Sequence, residues 1–149
     1  MKVVIEKFFA GVSKSELMEL MSDPKKFEDI VEGITKVELL SGIGKGVGVI
    51  WRETRVMFGK EATEEMSISK YELDNGVIEI EAASHGVKYL TTYTFEENEK
   101  GVDLKMVFAG KPITFMAKLM TPIGYLFIGT TKKLLLKDLE EIEAYLKDR

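Results

Sequence analysis

Trp51, Glu53 and Arg55 are spaced two residues apart, so on an extended strand all three project from one face. Turned inward, the carboxylate and guanidinium would form a buried pair able to orient a polar group or to move a proton. Turned outward, they would be ordinary surface ion pairs, and Ile50, Val56 and Phe58 would supply the inward set. The alternation fits both parities. Tyr89, Thr91 and Tyr93 share a face with Val87 and Phe95 and would place hydroxyls on an apolar wall. The same tyrosines would serve equally as core residues with backbone partners. Met66, Ile68, Ile80, Ala82, Met106 and Phe108 are wall residues under either reading. His85 is the one side chain with an ordinary pKa near neutrality, and it precedes Gly86 in a turn. Ser84 beside it would point to the opposite strand face, so adjacency alone does not make the two a nucleophile–base pair.

Other chemistries find little support. There is no cysteine and a single histidine, so disulfides, thiolate sites and a multi-histidine zinc site are excluded, and neither metal nor cofactor is expected. No G-x-S-x-G occurs, and two S-x-x-K matches, Ser22–Lys25 and Ser67–Lys70, look like chance. Gly42-Ile-Gly-Lys-Gly-Val-Gly48 lacks the phosphate-loop spacing and leads into a strand, so it reads as a turn. Glu61, Glu64 and Glu65 read as a solvated edge. A net charge of −4 argues against nucleic-acid binding. MKVVIEKFFAG breaks its apolar run with Glu6 and Lys7, unlike a signal peptide, and no run reaches the roughly 20 apolar residues of a spanning helix. A cytoplasmic protein, monomeric or homodimeric, is expected, its 149 residues forming one domain over 1–149.

The elements that would position these residues are legible in outline. Lys2–Phe9 reads as a strand. Ser13-Lys-Ser-Glu16 matches a capping box, and Asp23-Pro24 starts a second short helix. Strands follow at Thr35–Ser41, Val47–Phe58, Glu61–Leu73, Val77–Ser84, Val87–Glu96 and Val102–Ala109, with short turns that predict an antiparallel meander. Ile113–Met120 reads as a short apolar helix. Thr121-Pro122 then caps a last helix reaching Leu146, with a stripe of Leu135, Leu139, Ile142 and Leu146 and with Asp138 among the residues off that stripe. From Ile113 to Ile128 the only charge is Lys118, so this run demands apolar neighbours on more than one side.

This order, β-α-α-β6-α, is that of an α+β helix-grip fold. The chain resembles the START-like superfamily, which includes the Bet v 1 allergens and the polyketide cyclase/dehydrase-like (SRPBCC) proteins. The resemblance rests on Asp23-Pro24, Val31–Val37, Gly46–Trp51, Tyr93–Phe95, Gly101–Lys105 and the terminal helix. Trp51–Thr63 is similar to a mostly uncharacterised bacterial and archaeal branch. The resemblance implies a curved antiparallel sheet gripping a long C-terminal helix, with a cavity between them for lipids, isoprenoids, polyketides or similar molecules.

The first expectation is therefore binding or transport of a small hydrophobic molecule. Trp51, Glu53, Arg55, Met66, Ile68, Ile80, Ala82, Tyr89, Thr91, Tyr93, Met106 and Phe108 would line its site. Phe115, Met116, Leu119, Met120, Ile123 and Phe127 would roof it, with Tyr125 beside them. The alternatives are a cyclase- or dehydratase-like enzyme using Glu53, Arg55, a tyrosine or His85, and a module that docks on a protein or membrane surface through 113–128. Catalysis stays open, with binding preferred on the poor catalytic inventory.

Overall fold

A computed structural model describes residues 1–57 and 59–149; Phe58, weighed above as an inward residue, lies outside the described residues. Seven strands form one curved antiparallel sheet. They are β1 (Lys2–Ala10), β2 (Ile34–Ser41), β3 (Ile50–Met57), β4 (Lys60–Glu72), β5 (Val77–Ser84), β6 (Val87–Asn98) and β7 (Gly101–Pro112). Helices α1 (Lys14–Met21) and α2 (Pro24–Ile30) follow β1, and α3 (Phe115–Tyr125) and α4 (Ile128–Asp148) follow β7. The spatial order is β1-β7-β6-β5-β4-β3-β2, so the meander runs from β2 to β7 and β1 returns to pair with β7.

The expected elements are present, with instructive differences. Ser13 caps α1, its Oγ accepting from the Glu16 N–H at 3.1 Å. The Glu16 carboxylate is taken by Arg149, whose Nε donates to it at 3.2 Å, so the chain end is tied to the start of α1. Asp23 and Pro24 open α2 as expected.

The larger correction concerns Pro122. It lies inside α3 instead of starting the long helix, and Thr114 supplies the cap, accepting from the Ala117 N–H at 3.1 Å. Proline frees the carbonyl four residues back, which a helix tolerates near its end. The Thr121 hydroxyl donates to the Ala117 carbonyl at 3.2 Å in the turn just before it. The break falls at Leu126–Phe127, and α4 is 21 residues, about 32 Å long.

Two devices shape the sheet. Register shifts between Ile34 and Lys36, Leu39 and Ser41, and Ile68 and Lys70 add local twist and bend strands β2 and β4. His85 and Gly86, at φ +49° and +75°, make the two-residue turn that keeps β5 and β6 in register. The Gly86 carbonyl accepts the Ile113 N–H at 2.8 Å, which fixes the chain's departure toward α3.

The core is densest where α1 and α2 meet the sheet and the second half of α4. Leu17, Met18 and Met21 are fully buried there with Val3, Phe9, Val102, Leu104, Leu139, Ile142 and Leu146. Lys7–Glu143 at 3.3 Å and the Glu32 N–H donated to Glu141 at 2.9 Å pin the same half of α4 at its margins. The first half is held only near its end, by Lys137–Glu32 at 3.7 Å on the margin and by Asp138–Arg55 at 2.8 Å on the inner face, among the described residues.

Candidate functional site

Between the sheet and α4, largely under the helix's first half, lies a cavity of about 240 Å³. Its cause is visible in the register. Trp51, Met66, Ala82, Tyr89 and Gly110 pair in sequence across β3 to β7, forming one row of the inner wall. Small residues at Ala62 and Ala82 hollow that wall between large neighbours. A Cβ at Gly110 would lie 3.0 Å from the Tyr89 ring, so glycine there leaves room for the tyrosine. Tyr89 in turn stacks on Phe108, ring centroids 5.3 Å apart.

The parity of β3 is resolved by this row. Trp51 and Glu53 are buried and Arg55 nearly so, all three on the cavity wall, whereas Val56 is exposed. Met66, Ile80, Ala82, Tyr89, Thr91, Tyr93, Met106 and Phe108 also line the cavity. Ile68 is buried in the core without reaching the cavity.

The expected roof is not there. Phe115, Met116, Leu119, Met120, Ile123 and Phe127 are 46–73% exposed, none of them lines the cavity, and Tyr125 is 56% exposed. Their hydrophobicity reads in the sequence as a sign of burial, but no residue of α3 is buried. The helical wall comes instead from α4, through Thr131, Leu134, Leu135, Asp138, Leu139 and Ile142, with Phe27, Val31 and Ile34 closing one end. His85 is exposed in its turn and takes no part.

Two acidic residues join the site that the sequence pattern places elsewhere. Asp138 lies off the apolar stripe, yet Thr131, Leu135, Asp138 and Ile142 are spaced 4, 3 and 4 and share one helical face. Its carboxylate accepts from Arg55 Nη1 at 2.8 Å, while Arg55 Nε lies 3.6 Å from Glu53. Glu64 reads in the sequence as part of a solvated edge. It is half-buried on the cavity wall, directly opposite Glu53 in the β3–β4 register, and Glu61 and Glu65 beside it are exposed.

Burial therefore dominates the electrostatics. It pushes the Glu53 carboxyl above its ordinary range, against the pull of Arg55, and Asp138 and Glu64 add to the rise. The Trp51 indole nitrogen is buried without a direct hydrogen-bond partner. Asp138 is raised by burial too, against the opposing charge of Arg55. Burial holds the Tyr93 phenol far above its ordinary value, so it is a neutral hydroxyl at any physiological pH. Among the described residues no cluster of three or more histidine or acidic side chains is placed to hold a metal ion. Among them, too, no helix is long and apolar enough to cross a membrane.

A seven-stranded curved sheet closed around a C-terminal helix, with a cavity between them, is the Bet v 1-like helix-grip fold. No family model matches the sequence, and no curated protein does. Solved structures do. Ara h 8.0201 superposes with a TM-score of 0.71 at 15% identity, over 100% of this chain and 99% of its own. TTHA0849 from Thermus thermophilus gives 0.71 at 15% identity, over 97% and 99%. The major latex-like protein 151 of Panax ginseng gives 0.74 at 11% identity, over 97% and 96%. At such identities the likeness is one of fold.

Proposed function

We propose that this chain binds a small, largely apolar molecule in the cavity between the sheet and the first half of α4. The observation that carries the reading is the wall itself: aromatic, methionine and aliphatic side chains around a few convergent polar groups. The size suits a compact ligand. Binding is preferred to a cyclase- or dehydratase-like activity because no serine, cysteine or histidine lines the cavity among the described residues; its polar side chains are Glu53, Glu64, Asp138, Arg55 and the hydroxyls of Tyr89, Tyr93, Thr91 and Thr131. Native mass spectrometry of the purified protein, followed by organic extraction, tests this. A co-purified small molecule, or uptake of added isoprenoids or fatty alcohols, is the expected result. A folded protein that takes up no apolar compound of any class would overturn it.

A separate observation favours a second role, docking on an anionic bilayer through α3. Phe115, Met116, Leu119, Met120, Ile123 and Leu126 are all exposed. Every charged residue from Leu104 to Lys137 is a lysine, namely Lys105, Lys111, Lys118, Lys132, Lys133 and Lys137, in a chain whose net charge is −4. An apolar helix face set among cations fits the headgroup region of an acidic membrane. Co-sedimentation with phosphatidylcholine vesicles, with and without phosphatidylglycerol, should show binding only to the acidic ones, lost in K118E/K132E/K133E. A dimer in solution that hides α3, or equal binding to both vesicles, would refute it.

A further inference from the structure

The inner wall holds more negative than positive charge, and the imbalance is built into the strand register. Glu53 and Glu64 are direct cross-strand partners on β3 and β4, both facing the cavity. Like charges so placed destabilise a sheet, the more so beside a low-dielectric space. Asp138 adds a third carboxylate from α4. Against these stand two cations. Arg55 gives its short contact, 2.8 Å, to Asp138 and only a loose one, 3.6 Å, to Glu53. Met1 also lines the cavity, and its amino group donates to the Gly110 carbonyl at 3.2 Å and makes no ion pair among the described residues. Among them Glu64 makes none either. Three carboxylates thus face two cations, and the Glu53–Glu64 pair is left without a counter-charge between its members.

We propose that the ligand supplies that charge: the cavity takes a hydrophobic amine, its ammonium held by Glu53 and Glu64 and its apolar body laid against the inner wall. This rests on the reading that the cavity holds a ligand, and it names the ligand's class. The surroundings suit a cation beyond the carboxylates. Trp51 and the stacked Tyr89–Phe108 pair line the cavity, and aromatic rings attract ammonium groups by their quadrupoles. An ammonium would also relieve the strain that burial and neighbouring acids place on the Glu53 carboxylate. A carboxylate or phosphate headgroup would do the reverse.

The chain's only tryptophan is Trp51, so tryptophan emission reports on the cavity wall. Octylamine, 1-octanol and octanoate share one alkyl length and differ in charge, and each is titrated at pH 7 while Trp51 emission is followed. Octylamine should bind about tenfold more tightly than octanol, the scale of one charge-assisted contact, and octanoate more weakly than either. In E64Q the ratio of octylamine to octanol affinity should fall most of the way to one, and E53Q should behave likewise. Octanol binding as tightly as octylamine would overturn the inference and leave the cavity reading intact. So would an amine preference that survives in both variants, because it would then reflect only the acidity of the protein. No response to any of the three would overturn the cavity reading and this inference together.

Discussion

Replacing Arg55 by methionine tests the electrostatics of the cavity wall most directly. The guanidinium side chain is 17% exposed, and its partners Glu53 and Asp138 are 7% and 18% exposed. Methionine keeps much of the apolar stem and removes the charge. Two carboxylates are then left on a wall that already holds Glu64. Removing one member of a buried ionic group typically costs about 3–5 kcal/mol. The residual exposure of Asp138 and the freedom of the acids to take up protons place this case near the lower figure, about 3 kcal/mol at pH 7.5. For a chain of this size that is a fall of roughly 6–12 °C in melting temperature. The sign of the pH dependence follows from the same groups. Both carboxyls are already raised above their ordinary values by burial, and without Arg55 they rise further. The folded variant therefore binds protons that its unfolded chain does not, and its stability should recover as pH falls toward 5. Urea denaturation of both proteins at pH 7.5 and 5.0 measures this, and E53Q in the R55M background should recover part of the loss at pH 7.5. An equal deficit at both pH values, or no recovery from E53Q, would refute the argument that uncompensated carboxylates are its source.

In the parent protein, E53Q alone should be stabilising at neutral pH. Glu53 sits above its ordinary 4.5 in a setting of Arg55, Asp138, Glu64, Tyr93 and Trp51, so its ionisation opposes folding as pH rises; thermal melts should show an advantage at pH 8 that vanishes near pH 4.5. Gly86→Ala should cost about 1–3 kcal/mol, because its Cβ would collide with the Thr114 hydroxyl from a backbone at φ +75°; urea midpoints and faster proteolysis around residue 114 would register it. Leu139→Ala should cost about 2–5 kcal/mol in the core beneath α4, whereas Leu119→Ala, 57% exposed on α3, should stay within about 0.5 kcal/mol. A comparable loss at the two leucines would mean that α3 is packed where the structure shows it open.

The strands are legible in the sequence because alternation and glycine turns are local signals. Most of the sheet's wall residues follow from them once the parity of each strand is known. That parity is open in β3, where Trp51, Glu53 and Arg55 alternate as well as Ile50 and Val56 do. Only pairing with Met66 and Glu64 on β4, a contact distant in sequence, decides it. Asp138 can be found from sequence, since its spacing from Thr131, Leu135 and Ile142 places it on the cavity face; its charge groups it with the solvated residues instead. The apolar run after Ile113 misleads for a different reason. Hydrophobicity states a preference for leaving water and does not name the neighbour. The lysine-only charge pattern around it is the more informative feature. Pro122 carries two meanings, a first-turn residue or a late interior one, and the Thr114 cap settles the second.

The return of β1 to the far edge of β7 has a consequence for how the molecule is made. Lys2 pairs with Ala109 and Phe9 with Val102, so the first strand waits for the last before it can be covered. At about 5–20 residues per second, a ribosome needs roughly 5–20 s to build the intervening chain. Throughout that interval Val3, Ile5 and Phe9, all buried in the finished fold, have no sheet to join. Folding should therefore be late and all at once, and the exposed early strand is the segment a nascent-chain chaperone would meet first.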